Sequence, residues 1–226
     1  GVIKDLKEIE AVGNRVAHGG ELFKESCLVN DDVIEKIKSL ADLAPLHTPG
    51  NLAGIYAMRE VLPNVPQSVV FDTAFHQTLP PKSYLYGLPY EYYQKYHLRR
   101  YGFHGTSHRF VAEKAAKMIG KNWEDLKIIS CHLGSGASIA AIDHGKSVDT
   151  TMGLTALEGL VMGSRPGDVD PGAIQFLIEK ELAEGKTMKD VVNILYKKSG
   201  LVGISGGKQD MRDIRAGRDA GDERCT

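Results

Sequence analysis

The chain has 226 residues, with 28 Lys and Arg against 29 Asp and Glu, which gives a net charge of −1. Because 42% of the residues are hydrophobic and 25% are charged, the chain can bury a core and differs from a disordered tail. The balanced charge argues against a protein that binds nucleic acid by bulk charge, although it does not exclude a local basic site.

The sequence favours a reduced, cytoplasmic protein without a membrane partner. No apolar run approaches the roughly 20 residues that span a bilayer, and no signal peptide opens the chain. Three widely spaced cysteines, Cys27, Cys131 and Cys225, form neither a disulfide framework nor a paired metal clip.

The first third of the chain predicts strands and helices in alternation. In chain order we expect a strand over 9–17, a turn over 18–20, a helix from Asn30, a helix over 50–61 and a short buried strand over 68–71. The last of these strands delivers Asp72 at its carboxyl end. Residues 80–101 hold seven of the nine tyrosines and three prolines, which predicts a long ordered loop packed by its own aromatic rings. The alternative, a surface that stacks nucleic-acid bases, lacks the positive charge that it needs.

The rest of the chain predicts a mixed α/β fold with antiparallel hairpins. In chain order we expect a helix from Thr106 or Ser107 to Gly120, strands over 127–132 and 137–142, a third strand up to 150, a helix headed by a Thr155–Glu158 capping box, a helix after Asp170, and a helix from Thr187 to Gly200.

Three glycine-rich turns are candidates for anion binding. The turn within 132–138 lies between two strands, so its backbone N–H groups can form a concave nest for phosphate oxygens. Taken alone, such a turn is more often only a tight hairpin. A second turn covers 203–207, shortly before Asp210. The third, 163–168, holds Arg165, which can serve structure or reach a phosphate with its planar fork.

His104 and His108 are four residues apart, which raises the alternative of a zinc-dependent hydrolase that also uses Asp72. The glutamate of the usual zinc helix motif is absent, and His104 precedes the expected helix start. The two rings therefore need not share a helix face, and we disfavour zinc. No nucleophile elbow accompanies a Ser-His-Asp or Cys-His set.

Five motifs together carry a resemblance to a known family. They are Arg-Val-Ala-His-Gly-Gly at 15–20, Phe-Asp-Thr-Ala-Phe-His at 71–76, Arg-Tyr-Gly-Phe-His-Gly-Thr-Ser-His at 100–108, the turn at 132–138 and Met-Gly-Ser-Arg-Pro-Gly-Asp at 162–168. In this order the motifs resemble those of the acetate kinases. The resemblance implies a duplicated ribonuclease-H-like, actin-like ATPase fold, with a nucleotide cleft between the domains. It places part of the amino-terminal domain in 1–73 and part of the carboxy-terminal domain in 74–226.

The resemblance also implies an activity. Acetate kinases transfer the γ-phosphoryl group of ATP to acetate, reversibly and with Mg²⁺, and they are homodimers. A propionate-preferring kinase of the same family is an alternative. Asp72 resembles the catalytic aspartate and His104 the transition-state histidine. Arg15 and Arg165 resemble the two arginines that hold the substrate carboxylate and the transferring phosphoryl group, and we expect them to face each other across the cleft.

The remaining site residues follow from the same resemblance. Those expected at the acyl group are Ala17, Leu46, Phe103 and Ala156, with His47 nearby. Those expected at ATP are His132, Leu133, Gly134, Ser135 and Gly136 for phosphate, and Asp210, Met211 and Arg212 for adenosine. Acetate is already ionised at neutral pH, because carboxyl pKa values lie near ~4. We therefore expect Asp72 to orient an arginine or a metal-bound water rather than to remove a proton.

The sequence departs from the family pattern in three ways. The amino-terminal phosphate loop and the carboxy-terminal region with the Mg²⁺-binding glutamate are missing, so we expect a fragment without kinase activity of its own, or a non-catalytic nucleotide-binding module. Ser135 replaces the usual asparagine, and Lys208-Gln209 replace serines. Ala17 and Ala156 replace valine and proline at the acyl group.

Overall fold

The computed structural model describes residues 2–226, which form two compact units. The first contains the residues up to Ser130 together with Ala140–Thr150, and the second contains Cys131–Ile139 and Thr151–Thr226. Within the described residues, no helix is long and apolar enough to cross a membrane. The predicted division into 1–73 and 74–226 concerns domains of a longer family fold and stays a prediction.

The elements follow the chain in a mixed order. The strands are β1 Val12–Val16, β2 Cys27–Leu28, β3 Gln67–Phe71, β4 Lys127–Leu133, β5 Ala137–Asp143 and β6 Lys146–Thr150. The helices are α1 Asp31–Ser39, α2 Thr48–Val61, α3 Pro81–Tyr84, α4 Tyr90–Tyr96, α5 Gly105–Met118, α6 Pro171–Ala183, α7 Met188–Lys197, α8 Gly200–Ser205 and α9 Met211–Asp219. Short 3₁₀ helices occupy Leu6–Glu8, Ala41–Leu43, Ala74–Thr78, Trp123–Asp125 and Glu223–Cys225.

The first sheet has the order β1-β3-β2. β1 and β3 are parallel, and Val16 lies opposite Phe71. The buried side chains of this sheet pack against α1 and α2 in one hydrophobic core, made of Val16, Phe23, Val33, Ile34, Ile37, Ile55, Val69 and Phe71. Because parallel strands end at the same edge, the residues that follow Val16 and Phe71 meet there. This edge carries the first group of candidate site residues.

The predicted helix starts in this unit are confirmed to within two residues. The Asn30 side chain accepts a hydrogen bond from the backbone N–H of Val33 and caps α1. α2 begins at Thr48, two residues before the prediction, because Pro49 fits the first turn of a helix. α5 begins at Gly105 and is followed by Gly120, whose φ of +69° suits a residue just past a helix end.

The prediction of a loop over 80–101 is wrong in part, because α3 and α4 form there. Each helix has a proline at its start, which supplies a preset φ and needs no hydrogen-bond partner. The tyrosines do pack on one another, as expected. The ring centroids of Tyr84 and Tyr93 are 5.7 Å apart, and those of Tyr92 and Tyr96 are 6.2 Å apart.

The second sheet has the order β4-β5-β6 and confirms the three predicted strands. β5 and β6 are antiparallel, with Asp143 opposite Lys146 and an irregularity between Ala141 and Ile142. His144 and Gly145 connect them with φ values of +50° and +76°. Positive φ at both loop residues is the geometry of a tight hairpin turn, which explains the glycine.

Three sequence predictions fail, wholly or in part, in the second unit. No helix follows Thr155, whose hydroxyl accepts a hydrogen bond from Leu157 N in a turn. The segment instead closes on itself, because Asp168 N donates to the Gly159 carbonyl and Gly159 N donates to the Asp168 carboxylate. Gly159 has a φ of +104°, which a helix does not contain.

The predicted helix from Thr187 is present and begins with a capping box formed by Thr187 and Asp190, but it ends at Lys197 rather than at Gly200. Gly200 begins the separate helix α8, where its φ is +63°. Residues 203–205, predicted to be part of a turn, belong to that helix. Asp170 caps α6 as predicted, with its carboxylate accepting from Ala173 N.

Candidate functional site

Arg15 and Asp72 form an ion pair at the shared edge of β1 and β3. Arg15 Nε donates to Asp72 Oδ1 at 3.0 Å, and Arg15 Nη2 donates to Asp72 Oδ2. The Asp72 side chain is 6% exposed, whereas that of Arg15 is 59% exposed. The hydrogen bond to Asp72 raises the pKa of the Arg15 guanidinium. A buried carboxylate therefore fixes one side of a permanently charged guanidinium whose remaining surface faces solvent.

A loop over residues 101–105 carries His104 beside this pair. The backbone N–H of Gly105 donates to the Asp72 carbonyl at 2.9 Å. A Cβ at Gly105 would collide with that same carbonyl oxygen, so the close approach requires glycine. His104 precedes α5 with a φ of +57°, an unusual conformation for a residue with a side chain. Held backbone strain of this kind is a reason to look for function at His104.

His76 holds the other side of the same loop. Its ring is fully buried, and Nε2 bonds the Phe103 carbonyl at 2.9 Å while Nδ1 bonds the Ser147 hydroxyl at 2.7 Å. A carbonyl only accepts, so Nε2 carries the proton and Nδ1 accepts from Ser147. Burial lowers the pKa of His76 to about 4, so the ring is neutral at pH 7.

Ala17 and Phe103 are both buried. The His18 ring is 5.6 Å from that of Phe103. A strand over 9–17 would point the side chains of Arg15 and Ala17 to the same side, but β1 ends at Val16, so strand alternation does not determine the direction of the Ala17 side chain. Its backbone N–H donates to Asn51 Oδ1 at 3.1 Å, and Asn51 Nδ2 donates to the Arg15 carbonyl at 3.3 Å.

Asn51 and His76 are residues that sequence reasoning did not select for the site. Asn51 lies in the first turn of α2, where no local pattern indicates its bonds to residues about 35 positions earlier. His76 belonged to a recognised motif, which was a usable signal. Leu46 and His47, which we did select, are exposed at the start of α2, and Leu46 is 62% exposed.

The second unit contains the glycine turn between β4 and β5. Gly134 N donates to the Gly136 carbonyl at 3.1 Å, which closes the turn. Gly163 N donates to the Ser135 carbonyl at 3.0 Å, and Gln209 Nε2 donates to the Ser135 hydroxyl at 2.7 Å. Ser135 therefore connects three segments that are far apart in the sequence.

A pocket of about 560 Å³ opens at this junction. Its size lies in the range of small-molecule sites. It is lined by Leu133, Gly134, Ser135, Gly163, Leu201, Gln209, Asp210 and Met211. Five of the eight residues predicted to bind ATP thus share one pocket, and they come from both of the predicted segments.

Asp210 and Arg212 form an exposed pair beside the pocket. Arg212 Nη2 donates to Asp210 Oδ2 at 2.6 Å, and the backbone N–H of Arg212 donates to Asp210 Oδ1 at 2.8 Å. The bonds to Arg212 lower the pKa of Asp210 to about 2. The carboxylate is therefore ionised at neutral pH and caps α9.

Arg165 lies in the closed segment before α6, half-buried. Its Nη1 donates to the Ala156 carbonyl at 2.7 Å, and desolvation lowers the pKa of its guanidinium. Ala156 thus contacts Arg165 through its backbone. Arg15 belongs to the first unit and Arg165 to the second, so their expected juxtaposition stays a prediction.

The part of the chain that the structure describes, residues 2–226, contains no group of three His, Cys, Asp or Glu side chains able to hold a metal ion. His108 is buried, with Nδ1 2.9 Å from the Ser130 hydroxyl, and its ring centroid is 6.4 Å from that of His104. Among the described residues, the zinc alternative therefore lacks the three protein ligands that a zinc site needs.

The small mixed sheets, with a glycine turn between two strands and an aspartate at a strand end, define part of a ribonuclease-H-like fold of the actin-like ATPase class. The sequence model of the acetokinase family matches residues 1–226. The chain belongs to that family.

Named relatives agree with this assignment. Acetate kinase of Halothermothrix orenii is 58% identical over 226 residues, which are 100% of this chain and 56% of the relative. The crystal structure of acetate kinase from Porphyromonas gingivalis matches with a TM-score of 0.92 and 48% identity, over 100% of this chain and 56% of that one. A propionate kinase from Francisella tularensis matches with a TM-score of 0.90 and 45% identity, over 97% and 56%. The chain thus spans about half the length of the relatives it matches.

Proposed function

We propose that the complete protein containing this chain transfers the γ-phosphoryl group of ATP to acetate, giving acetyl phosphate and ADP, in a reversible reaction. The observation that carries the proposal is the buried Asp72 carboxylate holding the half-exposed Arg15 guanidinium, one hydrogen bond from the backbone beside His104. Membership of the acetokinase family supports the same reaction.

The chemistry needs charge stabilisation more than proton transfer. A transferring phosphoryl group spreads negative charge over its oxygens, so fixed donors lower the barrier mainly by position and electrostatics. Acetate is ionised at pH 7 and attacks without a general base. In this proposal Asp72 orients Arg15, Arg15 and Arg165 stabilise the anionic groups, and the His104 ring donates a hydrogen bond to the phosphoryl group.

The glycine turn and the pocket of the second unit form the proposed nucleotide-binding site. We propose that residues 132–136 contact phosphate oxygens through backbone N–H groups, and that Asp210, Met211 and Arg212 contact adenosine. The pocket that these two segments share supports the assignment. We propose that the Mg²⁺ implied by the family is held by groups of the complete protein outside residues 1–226.

The acyl group is proposed to lie near Ala17, Leu46, Phe103 and Ala156, with His47 nearby. Ala17 and Phe103 are apolar, as a methyl-binding site requires, and both are buried in this structure. Propionate is a second candidate substrate, because alanine at position 17 leaves more space than a larger apolar residue would and a propionate kinase has the same fold. We further propose a cytoplasmic homodimer without nucleic-acid or membrane partners.

A hydroxylamine assay on the complete protein tests this proposal. Hydroxylamine displaces phosphate from acetyl phosphate to give a hydroxamate, which is detected as its coloured ferric complex, and its formation should require both ATP and acetate. Formation of hydroxamate from propionate at the higher kcat/KM would favour the second candidate. ATP binding without any acyl phosphate from either acid would leave a non-catalytic nucleotide-binding protein and refute the proposal.

A further inference from the structure

Gln209 is a residue that no part of the proposed function uses. It lies in the pocket wall, immediately before the Asp210 cap of α9. Its side-chain amide donates to the Ser135 hydroxyl at 2.7 Å, across 74 positions of sequence. This bond joins the glycine turn, where phosphate is proposed to bind, to the segment proposed to contact adenosine.

Close packing against Gly163 also restricts the position of the Gln209 side chain. A Cβ built on Gly163 would lie 2.8 Å from both Cγ and Nε2 of Gln209, and 3.0 Å from the Ser135 hydroxyl oxygen. The Gln209 side chain therefore covers Gly163 directly, and any side chain at position 163 would displace it. Gln209 and Ser135 are both exposed, so this arrangement adds nothing to a buried core.

We propose that Gln209 is a positioning residue for the phosphoryl donor. Its amide sets the distance between the 134–136 turn and the Asp210–Arg212 segment, so that both ends of a nucleotide can be bound at once. The inference rests on the proposed use of ATP. It predicts that Gln209 affects nucleotide binding and leaves the carboxylic acid substrate unaffected.

The Ser135 and Gln209 side chains are complementary in size. An asparagine at position 135 would have two more heavy atoms than serine, so the exposed Gln209 side chain would have to move from its present position to make room for them. Ser135→Asn should therefore weaken nucleotide binding while Gln209 is present. Adding Gln209→Ser removes the conflict, so the double variant should recover most of the binding.

The experiment measures ATP and ADP dissociation constants by calorimetry, and KM values for ATP and acetate, on the complete protein. A hydrogen bond of this kind contributes enough that Gln209→Ala should weaken nucleotide binding about two- to tenfold. KM for acetate should change by less than about twofold, within the spread expected for a surface substitution. Gln175→Ala is the matched control, because Gln175 is exposed in the same unit and bonds Glu179 through its amide at 2.9 Å.

A double-mutant cycle distinguishes the Gln209–Ser135 hydrogen bond from any other effect of the Gln209 substitution on nucleotide binding. If Gln209 acts through Ser135, Ser135→Ala and Gln209→Ala together should cost no more than the larger single change. The inference fails if Gln209→Ala binds ATP and ADP as Gln175→Ala does, or if the two changes multiply. A protein that binds ATP but makes no acyl phosphate would refute the proposed function, and the binding cycle would still decide the role of Gln209.

Discussion

Replacing the buried His76 should change both the stability of the protein and the way that stability depends on pH. His76→Leu removes both hydrogen bonds of the ring, and leaves the buried Ser147 hydroxyl and the Phe103 carbonyl without that partner. Each buried polar group left unpaired costs about 1–3 kcal/mol. We therefore expect unfolding free energy at pH 7 to fall by about 2–5 kcal/mol.

The pH dependence follows from the ring's pKa. Burial lowers the pKa of His76 from its ordinary 6.5 to about 4, although the nearby Asp72 charge acts to raise it. Between these values the unfolded chain binds more protons than the folded one. The stabilisation is therefore complete above pH 6.5 and is lost as pH falls towards 4, by about 3 kcal/mol. His76→Leu lacks this contribution, so its deficit should shrink as the pH is lowered.

Urea unfolding between pH 4 and 7.5 on both proteins checks this, because Trp123 reports locally. Its ring lies 6.3 Å from that of Phe75, next to His76, and it is the single tryptophan of the 226 residues. His76→Gln can still donate to Phe103 and should lose less stability at pH 7. The exposed His97→Gln is the control. A constant difference between wild type and His76→Leu at every pH would refute the argument that His76 is buried neutral, as would a difference that widens towards pH 4.

Three further predictions concern the proposed site and its loop. In the complete protein, Arg15→Ala or Arg165→Ala should lower kcat by about 10³-fold or more without loss of the folded state, since arginines contribute 10³–10⁵-fold to phosphoryl transfer elsewhere; near-normal turnover measured in the hydroxamate assay, with unchanged circular dichroism, would contradict this. Ala17→Val should lower kcat/KM for propionate more than for acetate, because one methylene in an apolar pocket is worth about 1–3 kcal/mol. Equal changes in the steady-state kinetics of the two acids would show that residue 17 does not determine the specificity for acyl length. Gly159→Ala should destabilise the protein by about 1–3 kcal/mol, because its φ is +104° and a Cβ would lie 2.6 Å from the Thr151 carbonyl oxygen. Thermal unfolding should show this loss of stability. Gly185→Ala is the control, because Gly185 has a φ of +83° but no atom within 4 Å of the added Cβ, so the variant has backbone strain without a collision.

Sequence predicted the elements whose signals are local. The caps at Asn30, Asp170 and Thr187 act over three residues, so the side chain and the N–H that it bonds stand close together in the chain. Thr155 carries the same pattern and starts no helix. There the preference of a few residues loses to a long-range closure between Gly159 and residue 168, which the local pattern does not contain.

The candidate site also combines residues that local motifs identify with contacts between distant segments that they do not. This difference determines how variants of the site should be interpreted. Asp72 and His104 were selected by their motifs, but what places them is backbone contact between distant segments, such as Gly105 N to the Asp72 carbonyl. Asn51 and His76 take part in that placement, Asn51 without any local signal and His76 within a recognised motif that did not reveal its role. Removing either should lower turnover through Arg15 or the 101–105 loop, much as removal of a substrate-binding residue would. Loss of turnover alone therefore does not assign a residue to the substrate. A role at the substrate requires that turnover falls by more than the accompanying loss of stability explains. Arg15→Ala leaves the buried Asp72 carboxylate without its ion-pair partner, so its stability has to be measured beside its turnover. By that criterion we expect Arg15, with its side chain 59% exposed, to be separable from His76, which is fully buried.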